Sequence, residues 1–122
     1  MLEPSIVVLY VDNAMISSAF YQRLLAISPE EASPTFHSFK LSNGMSLGLK
    51  AKQAIVPPAH QNGSGELAFT LDNNKKVDEL FAEWQEQKIT ILIPPAHLPY
   101  GYTFLASDPD GNRLRVVALA KS

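Results

Sequence analysis

The chain opens with an apolar segment followed by a helical pattern. Residues 5–11, SIVVLYV, are apolar and β-branched, as is typical of a strand, and they end at Asp12-Asn13, residue types that favour turns and helix N-caps. Ile16, Phe20 and Leu24 then recur every four residues, which is the spacing of the buried side of a helix. The pattern predicts a strand that leads directly into a helix.

The same pattern occurs again later in the chain. An offset of sixty residues places Asp12 on Asp72 and Asn13 on Asn73, directly after a second strand-like segment at residues 66–71. The second helical face is marked by Val77, Leu80, Phe81 and Trp84. Such self-similarity indicates two copies of one structural unit. Its aromatic residues Phe20, Tyr21, Phe69, Phe81 and Trp84 are expected in the core.

Short strand-like segments follow each predicted helix. They are residues 30–34, 36–41 and 45–51 in the first half and 89–93, 102–107 and 113–119 in the second. Asn43-Gly44 and Asp110-Gly111 are strong hairpin signals between the last two segments of each half. Each half is therefore β-α-β-β-β, at about residues 4–52 and 66–120, with a linker at about 53–65. Because one unit cannot cover its own sheet, we expect a single α+β domain of residues 1–122, whose paired βαβββ modules form one curved mixed sheet with helices on the outside.

Composition excludes several classes of function. The net charge is −2, from ten Lys and Arg against twelve Asp and Glu, without a basic block for nucleic acid or an anionic membrane. The longest apolar runs are strand-sized, and no signal peptide is expected. The absence of cysteine removes disulfides, thiolate ligands and cysteine nucleophiles. We expect a cytoplasmic protein.

Two passages resemble a known family. Val11-Asp12-Asn13 followed by Phe20-Tyr21 resembles the opening strand and "FY" helix of the vicinal-oxygen-chelate superfamily, the glyoxalase and bleomycin-resistance proteins. Residues 104–112, FLASDPDGN, resemble the closing "DPDGN" hairpin of that superfamily. The resemblance spans essentially the whole chain. It implies the fold described above and a homodimer.

The metal-ligand positions of this family are changed in the chain. In members that use a metal, four strand positions carry His, Gln or Glu ligands, and by resemblance they fall on Ile6, Gly48, Glu66 and Arg115. Neither Ile6 nor Gly48 has a side-chain donor, and arginine is a fixed cation without a lone pair to give. One carboxylate does not replace the three protein ligands that a catalytic metal usually has. The resemblance therefore implies neither a metal nor another cofactor, and no catalytic residue.

Members of the superfamily without metal bind planar or glycosylated antibiotics in the same cavity. Residues 80–84, LFAEW, and 101–105, GYTFL, resemble the phenazine-resistance type. Lys50 departs from that type, because it falls near the position of a stacking aromatic residue. The resemblance thus implies metal-independent binding and sequestration of a small molecule, an aromatic antibiotic or a toxic metabolite.

Strand alternation indicates which side chains face the cavity. If Ile6 faces it, then Tyr10 does too, and Gly48, Lys50, Glu66 and Arg115 lie on the same side. A buried charge needs a partner, so Glu66 and Arg115 either pair with each other or meet a ligand, and both readings can hold at once. Small residues on these strands leave space for a ligand.

Further aromatic residues offer stacking surface for a flat ligand. Tyr102 and Phe104 are candidates, with Tyr100 at the cavity mouth and His97 at its rim. Residues 94–101 are expected to form a loop that holds His97, and this loop is a candidate lid. The tetrapeptide Pro-Pro-Ala-His occurs at 57–60 and 94–97, both expected in loops. The predicted ligand-binding residues are Tyr10, Gly48, Lys50, Glu66, His97, Tyr102, Phe104 and Arg115.

Two other functions remain open from the sequence. One is a metal-dependent lyase, isomerase or dioxygenase of the same superfamily with a rearranged site, in which Glu66 is the base or the sole ligand. The other is a structural or regulatory domain whose cavity is filled by its own side chains.

Overall fold

Both halves of the chain follow the order strand, helix and three strands. The structure, a computed structural model, describes residues 3–58 and 65–120. It divides into two compact units, Met1–Gly63 and Ser64–Ser122. The first unit contains β1 (Ile6–Val11), α1 (Ala14–Leu25), β2 (Glu31–Ala32), β3 (Phe36–Lys40), β4 (Ser46–Ala51) and a 3₁₀ turn, Lys52–Ala54. The second unit contains β5 (Glu66–Thr70), α2 (Asn74–Glu86), β6 (Thr90–Leu98), β7 (Gly101–Ser107) and β8 (Arg113–Leu119).

The two sheets have the same topology. Their strand orders are β1-β4-β3-β2 and β5-β8-β7-β6, and in each the first strand runs parallel to its neighbour. Val8 lies opposite Gly48 in one sheet, and Ala68 lies opposite Arg115 at the equivalent position of the other. The α+β class and the paired βαβββ modules are thereby confirmed. The sequence predicts one continuous sheet, whereas in the described ranges the hydrogen bonds between strands form two four-stranded mixed sheets. The strands β1 and β5 lie at the edges of these sheets.

Asparagine caps begin both helices, as the repeat predicts. The Asn13 side chain accepts a hydrogen bond from the Ile16 amide at 3.0 Å, and Asn73 accepts one from the Lys76 amide at 2.9 Å. Each cap typically stabilises its helix by about 1 kcal/mol. Among the described residues, no helix has the length and apolar character needed to cross a membrane.

The aromatic core of the second unit lies between its sheet and α2. The Trp84 ring packs edge-on against Phe69 at 6.1 Å and against Phe104 at 5.4 Å. Phe81 also contacts Phe104, at 5.3 Å between ring centroids. Phe104 is fully buried there, so its prediction as a cavity residue is wrong. Its side chain points to the helix, and it belongs with the core.

Strand β6 is longer than predicted. It continues from Thr90 through Pro94-Pro95 to Leu98, whereas the sequence predicts a loop and a lid from residue 94. Proline is tolerated on an edge strand or at a bulge, and β6 is both the edge of its sheet and shifted in register between Ile93 and Ala96. The loop and lid predictions for this segment are wrong. The first Pro-Pro-Ala-His copy lies partly outside the described residues, with His60 among those beyond it.

Side-chain hydrogen bonds hold the Asp-Pro-Asp-Gly-Asn hairpin in its turn conformation. The buried Asp108 carboxylate accepts hydrogen bonds from the amides of Asp110 and Asn112 and from the Asn112 side chain, at 2.8–2.9 Å. The side-chain Oδ1 of Asn112 in turn accepts a hydrogen bond from the Gly65 amide at 3.1 Å, just before β5 begins. The motif that carries the family resemblance therefore fixes the turn between β7 and β8 and the start of β5.

Candidate functional site

In the first unit, the sheet face opposite α1 exposes apolar side chains. On β1, Ile6, Val8 and Tyr10 are 44%, 38% and 39% exposed, whereas Leu9 and Val11 are 7% and 0% exposed on the helix side. Strand alternation alone predicts this division. We call the sheet face away from the helix of its own unit the open face.

A lysine stands between two aromatic residues on this open face. Lys50 on β4 lies in register with Tyr10 on β1 and with Phe36 on β3. In the part of the chain that the structure describes, the Lys50 ammonium forms no ion pair and lies over no ring. The neighbouring Lys52 is already paired, to Asp12 at 2.7 Å. Tyr10 and Lys50 thus lie together as predicted, with an aromatic residue added.

Gly48 leaves room for that added ring. A Cβ atom at position 48 would lie 3.0 Å from the Phe36 ring and 3.3 Å from the Val8 side chain. The Phe36 ring therefore lies across the bare backbone of Gly48. Sequence reasoning missed Phe36, although counting back from Lys50 through the Asn43-Gly44 hairpin would have placed it on the same face.

In the second unit, the open face carries a charged cluster. The Nε atom of Arg115 lies 3.5 Å from a carboxylate oxygen of Glu66. Its Nη1 donates a hydrogen bond to the Thr103 hydroxyl at 3.2 Å, and that hydroxyl donates to the Val116 carbonyl at 2.8 Å. The guanidinium carbon lies 5.8 Å from the centroid of the Tyr100 ring, within cation–π range. Glu66 and Arg115 therefore pair with each other, which is one of the two arrangements that the sequence allows.

The pair is unevenly buried. The Arg115 side chain is 18% exposed and that of Glu66 is 42% exposed. The contact is single and long for an ion pair, so neither group is saturated with hydrogen bonds. The remaining guanidinium nitrogen of Arg115, Nη2, makes no hydrogen bond to any described residue. This nitrogen and the Glu66 carboxylate are therefore among the polar groups that this face offers to a ligand.

Tyr102 and His97 lie on the other face of this sheet, beside α2. The Tyr102 hydroxyl donates a hydrogen bond to Asp78 at 2.7 Å, and its ring centroid is 4.6 Å from that of His97. The hydrogen bond to Asp78, with smaller contributions from desolvation and the carboxylate charge, raises the pKa of Tyr102. Because Thr103 on β7 faces Arg115, its neighbour Tyr102 must face the helix. The prediction that Tyr102 and His97 share a surface with Glu66 and Arg115 is therefore wrong.

These two residues instead line a shallow pocket of about 550 Å³ at the start of α2. Its polar rim contains both an acidic residue, Asp72, and a basic one, Lys75. The remaining lining residues are Asn73, Asn74, Leu98, Gly101, Ala118, Leu119 and Ala120.

The donor set at the matched metal positions does not fit a divalent ion. Ile6 and Gly48 supply no donor, and the Glu66 carboxylate already faces a guanidinium. Residues 3–58 and 65–120 contain no group of three or more His, Cys, Asp or Glu side chains that could hold a metal. The buried His37 lies in register with Leu49 on the helix side of its sheet, and His97 lies on the helix side of the other, so neither shares a face with Glu66.

Comparisons with known proteins agree with this fold. The family model of the glyoxalase/bleomycin resistance protein/dioxygenase superfamily matches residues 5–116. The chain is 32% identical over 121 residues to the phenazine antibiotic resistance protein EhpR of Enterobacter agglomerans, covering 97% of this chain and 93% of that protein.

Solved structures show the same relationship. The solution structure of protein ATC0852 from Agrobacterium tumefaciens is 48% identical, with a TM-score of 0.91 and coverage of 99% of this chain and 100% of that one. A glyoxalase/bleomycin resistance protein/dioxygenase from Nocardioides has the same fold at 21% identity, with a TM-score of 0.87 and coverage of 100% and 86%. With its paired βαβββ modules and a family match over nearly its whole length, the chain belongs to the glyoxalase/bleomycin resistance protein/dioxygenase superfamily.

Proposed function

We propose that the chain binds and sequesters a planar, largely apolar small molecule, an aromatic antibiotic or a toxic metabolite, without metal and without turnover. The observation that carries this proposal is the open face of the first unit. Ile6, Val8 and Tyr10 expose apolar surface there, and the Phe36 ring lies across Gly48 beside them. A flat ligand laid on such a surface gains about 25 cal/mol for each Å² of apolar area removed from water.

The family relationship supports the same class of ligand. EhpR, at 32% identity, is a phenazine antibiotic resistance protein, and phenazines are flat heteroaromatic molecules. The proposed contacts in the first unit are Tyr10, Gly48 and Lys50, with Phe36 added by the structure. Those in the second unit are Glu66 and Arg115, as polar contacts on its own open face.

The proposal is metal-independent because of the side chains present at the matched positions. A divalent ion beside Glu66 would meet the fixed positive charge of Arg115 at 3.5 Å from the same carboxylate. The alternative, a metal-dependent lyase, isomerase or dioxygenase, needs about three protein ligands for its metal, and Glu66 supplies one.

A thermal-shift screen against divalent metals and planar antibiotics, including phenazines, tests the proposal. A ligand at one hundred times its dissociation constant adds about 2.7 kcal/mol to the free energy of unfolding. For a domain of this size that raises Tm by several degrees. We expect a shift with aromatic compounds, a one-to-one complex by calorimetry and unchanged ligand after incubation. A shift with Mn²⁺, Ni²⁺, Zn²⁺ or Fe²⁺ alone, or consumption of the ligand, would contradict sequestration and favour the metal-dependent enzyme.

A pair of matched variants locates the binding surface. Val7 and Val8 are neighbours on β1, both are 38% exposed, and they point to opposite faces of the sheet. Val8→Thr replaces a methyl group by a hydroxyl on the open face and should weaken binding about threefold to tenfold. Val7→Thr makes the same change on the helix side and should leave affinity unchanged. Equal effects of the two substitutions would place the ligand elsewhere.

The proposal also includes a homodimer located in the cytoplasm. Membership of the superfamily and the exposed apolar residues of β1 support self-association. Sedimentation equilibrium measures the oligomeric state, and a monomer at micromolar concentration would contradict the dimer.

A further inference from the structure

We infer that the ligand is an anion: the open face of the first unit takes a planar aromatic acid, and Lys50 is the residue that selects it. This inference rests on the proposed function and names the chemical class of the ligand. It concerns the residue that departs from the phenazine-resistance pattern.

The surroundings of Lys50 favour the binding of an anion beside its ammonium group. It is half-buried, and it lies between Tyr10 and Phe36 in register on the open face. An ammonium group that loses part of its hydration needs a compensating charge or hydrogen bonds. In the described ranges Lys50 has neither, whereas its neighbour Lys52 holds the carboxylate of Asp12 at 2.7 Å.

Within residues 3–58, no acidic side chain on the same face forms an ion pair with Lys50. The register brings Glu31 onto this face opposite Ser38, on the far edge strand β2. Lys50 lies instead beside the apolar edge strand β1, whose open-face residues are Ile6, Val8 and Tyr10. The unpaired charge therefore adjoins the surface on which a flat ligand would lie.

The spacing along β4 fits an aromatic ring with an acidic substituent. Gly48 and Lys50 are two residues apart on the same face, which is about 7 Å along a strand. A fused ring system laid against Val8 and against the Phe36 ring that covers Gly48 would thus place a carboxylate at its edge within reach of the flexible ammonium.

The other cation considered for ligand binding is already engaged. Arg115 lies 3.5 Å from the Glu66 carboxylate and donates to Thr103 at 3.2 Å, so it already has an anionic partner within its own unit. Lys50 is therefore the stronger determinant of ligand charge among the predicted site residues.

Isothermal titration with phenazine-1-carboxylate and phenazine-1-carboxamide at pH 7.5 tests this inference. The two probes have nearly the same size and shape and differ in charge. We expect the acid to bind at least tenfold more tightly than the amide, with a preference that decreases at high salt. Lys50→Gln should abolish the preference and Lys50→Arg should retain it.

Lys40→Gln is the matched control, because Lys40 lies on the same face of the sheet, in register with Ser46. It should retain the preference for the acid. Equal binding of acid and amide to the unsubstituted protein, or a preference that survives Lys50→Gln, would overturn the inference while leaving the proposed function intact. Failure of both probes to bind would contradict the inference and the proposed binding of phenazine-like ligands together.

Discussion

The Nε atom of Arg115 lies 3.5 Å from the carboxylate of Glu66, at two of the four strand positions where metal-using relatives of this chain are expected to carry ligands. The equivalent positions of the first unit are Ile6 and Gly48, and the registers of the two sheets agree, since Val8 faces Gly48 as Ala68 faces Arg115. At the positions that match the metal ligands by resemblance, the chain thus carries apolar residues in one unit and an ion pair in the other.

A double-mutant cycle of Glu66→Gln and Arg115→Met measures the strength of this pair. Because the Glu66 side chain is 42% exposed, we expect a coupling of about 1 kcal/mol or less in the free energy of unfolding. Arg115→Met alone should cost more than Glu66→Gln, because it also leaves the buried Thr103 hydroxyl without a donor. Urea unfolding gives each value. A coupling above about 3 kcal/mol would mean that the pair behaves as a buried structural bridge.

Gly48→Ala tests whether ligand binding depends on the close packing of the Phe36 ring against Gly48. The added Cβ would approach the ring to 3.0 Å, and the ring is the far end of a side chain that can move. We therefore expect a loss of less than about 1.5 kcal/mol in stability but a clear loss of affinity for planar aromatic ligands. Ser46→Ala, two residues earlier on the same face, is the control and should bind normally. Unchanged affinity in Gly48→Ala would remove Gly48 from the site.

Gly101→Ala should destabilise the second unit much more strongly than Gly44→Ala destabilises the first. Both glycines have positive φ, +155° at Gly101 and +94° at Gly44. A Cβ on Gly101 would also lie 2.3 Å from the Ala118 carbonyl oxygen, whereas nothing lies within 4 Å of one on Gly44. The backbone cannot yield easily, so we expect a cost of roughly 3 kcal/mol or more against about 1 kcal/mol for Gly44. Comparable midpoints of urea unfolding for the two variants would contradict the close approach.

The predictions that succeeded depend on local signals. Asn13 and Asn73 cap their helices because a short polar side chain after a strand can satisfy free amides, and this needs no tertiary information. The Asp110-Gly111 hairpin is local in the same way. The order of elements in each half therefore follows from the sequence.

The predictions that failed depend on sheet edges and on register. Pro94-Pro95 reads as a loop unless β6 is known to be an edge strand, and only the completed sheet shows that. The aromatic character of Phe104 predicts a cavity residue, but its strand turns that side chain towards Trp84 on the helix. Register with β8 sends Arg115 and Thr103 to one side and Phe104 to the other. In the first unit, alternation from Ile6 onwards gives the faces of β1 and β4 that the structure shows.

The hydrogen bond from Tyr102 to Asp78 predicts a specific dependence on pH. The carboxylate favours the protonated phenol, so the pKa of Tyr102 in the folded chain lies above its ordinary value of 10.0. A group whose proton is held more tightly in the folded state than in the unfolded one stabilises the fold at lower pH. This contribution is fully present below pH 10 and is lost as the pH rises through the raised pKa. The difference in stability between the unsubstituted protein and Tyr102→Phe should therefore shrink above pH 10.

Ultraviolet absorbance of tyrosinate follows the titration directly. Subtracting the curve of Tyr102→Phe from that of the unsubstituted protein isolates this one phenol among the four tyrosines of the chain. Asp78→Ala removes both the hydrogen-bond acceptor and the negative charge, and it should move the titration of Tyr102 back towards its ordinary pH. Tyr10→Phe, a tyrosine on the open face of the other unit, serves as the matched control, and the same substitution at Asp78 should leave its difference curve unchanged. If Tyr102 titrates at or below pH 10 while Asp78 is intact, the contact that ties β7 to α2 is absent in solution.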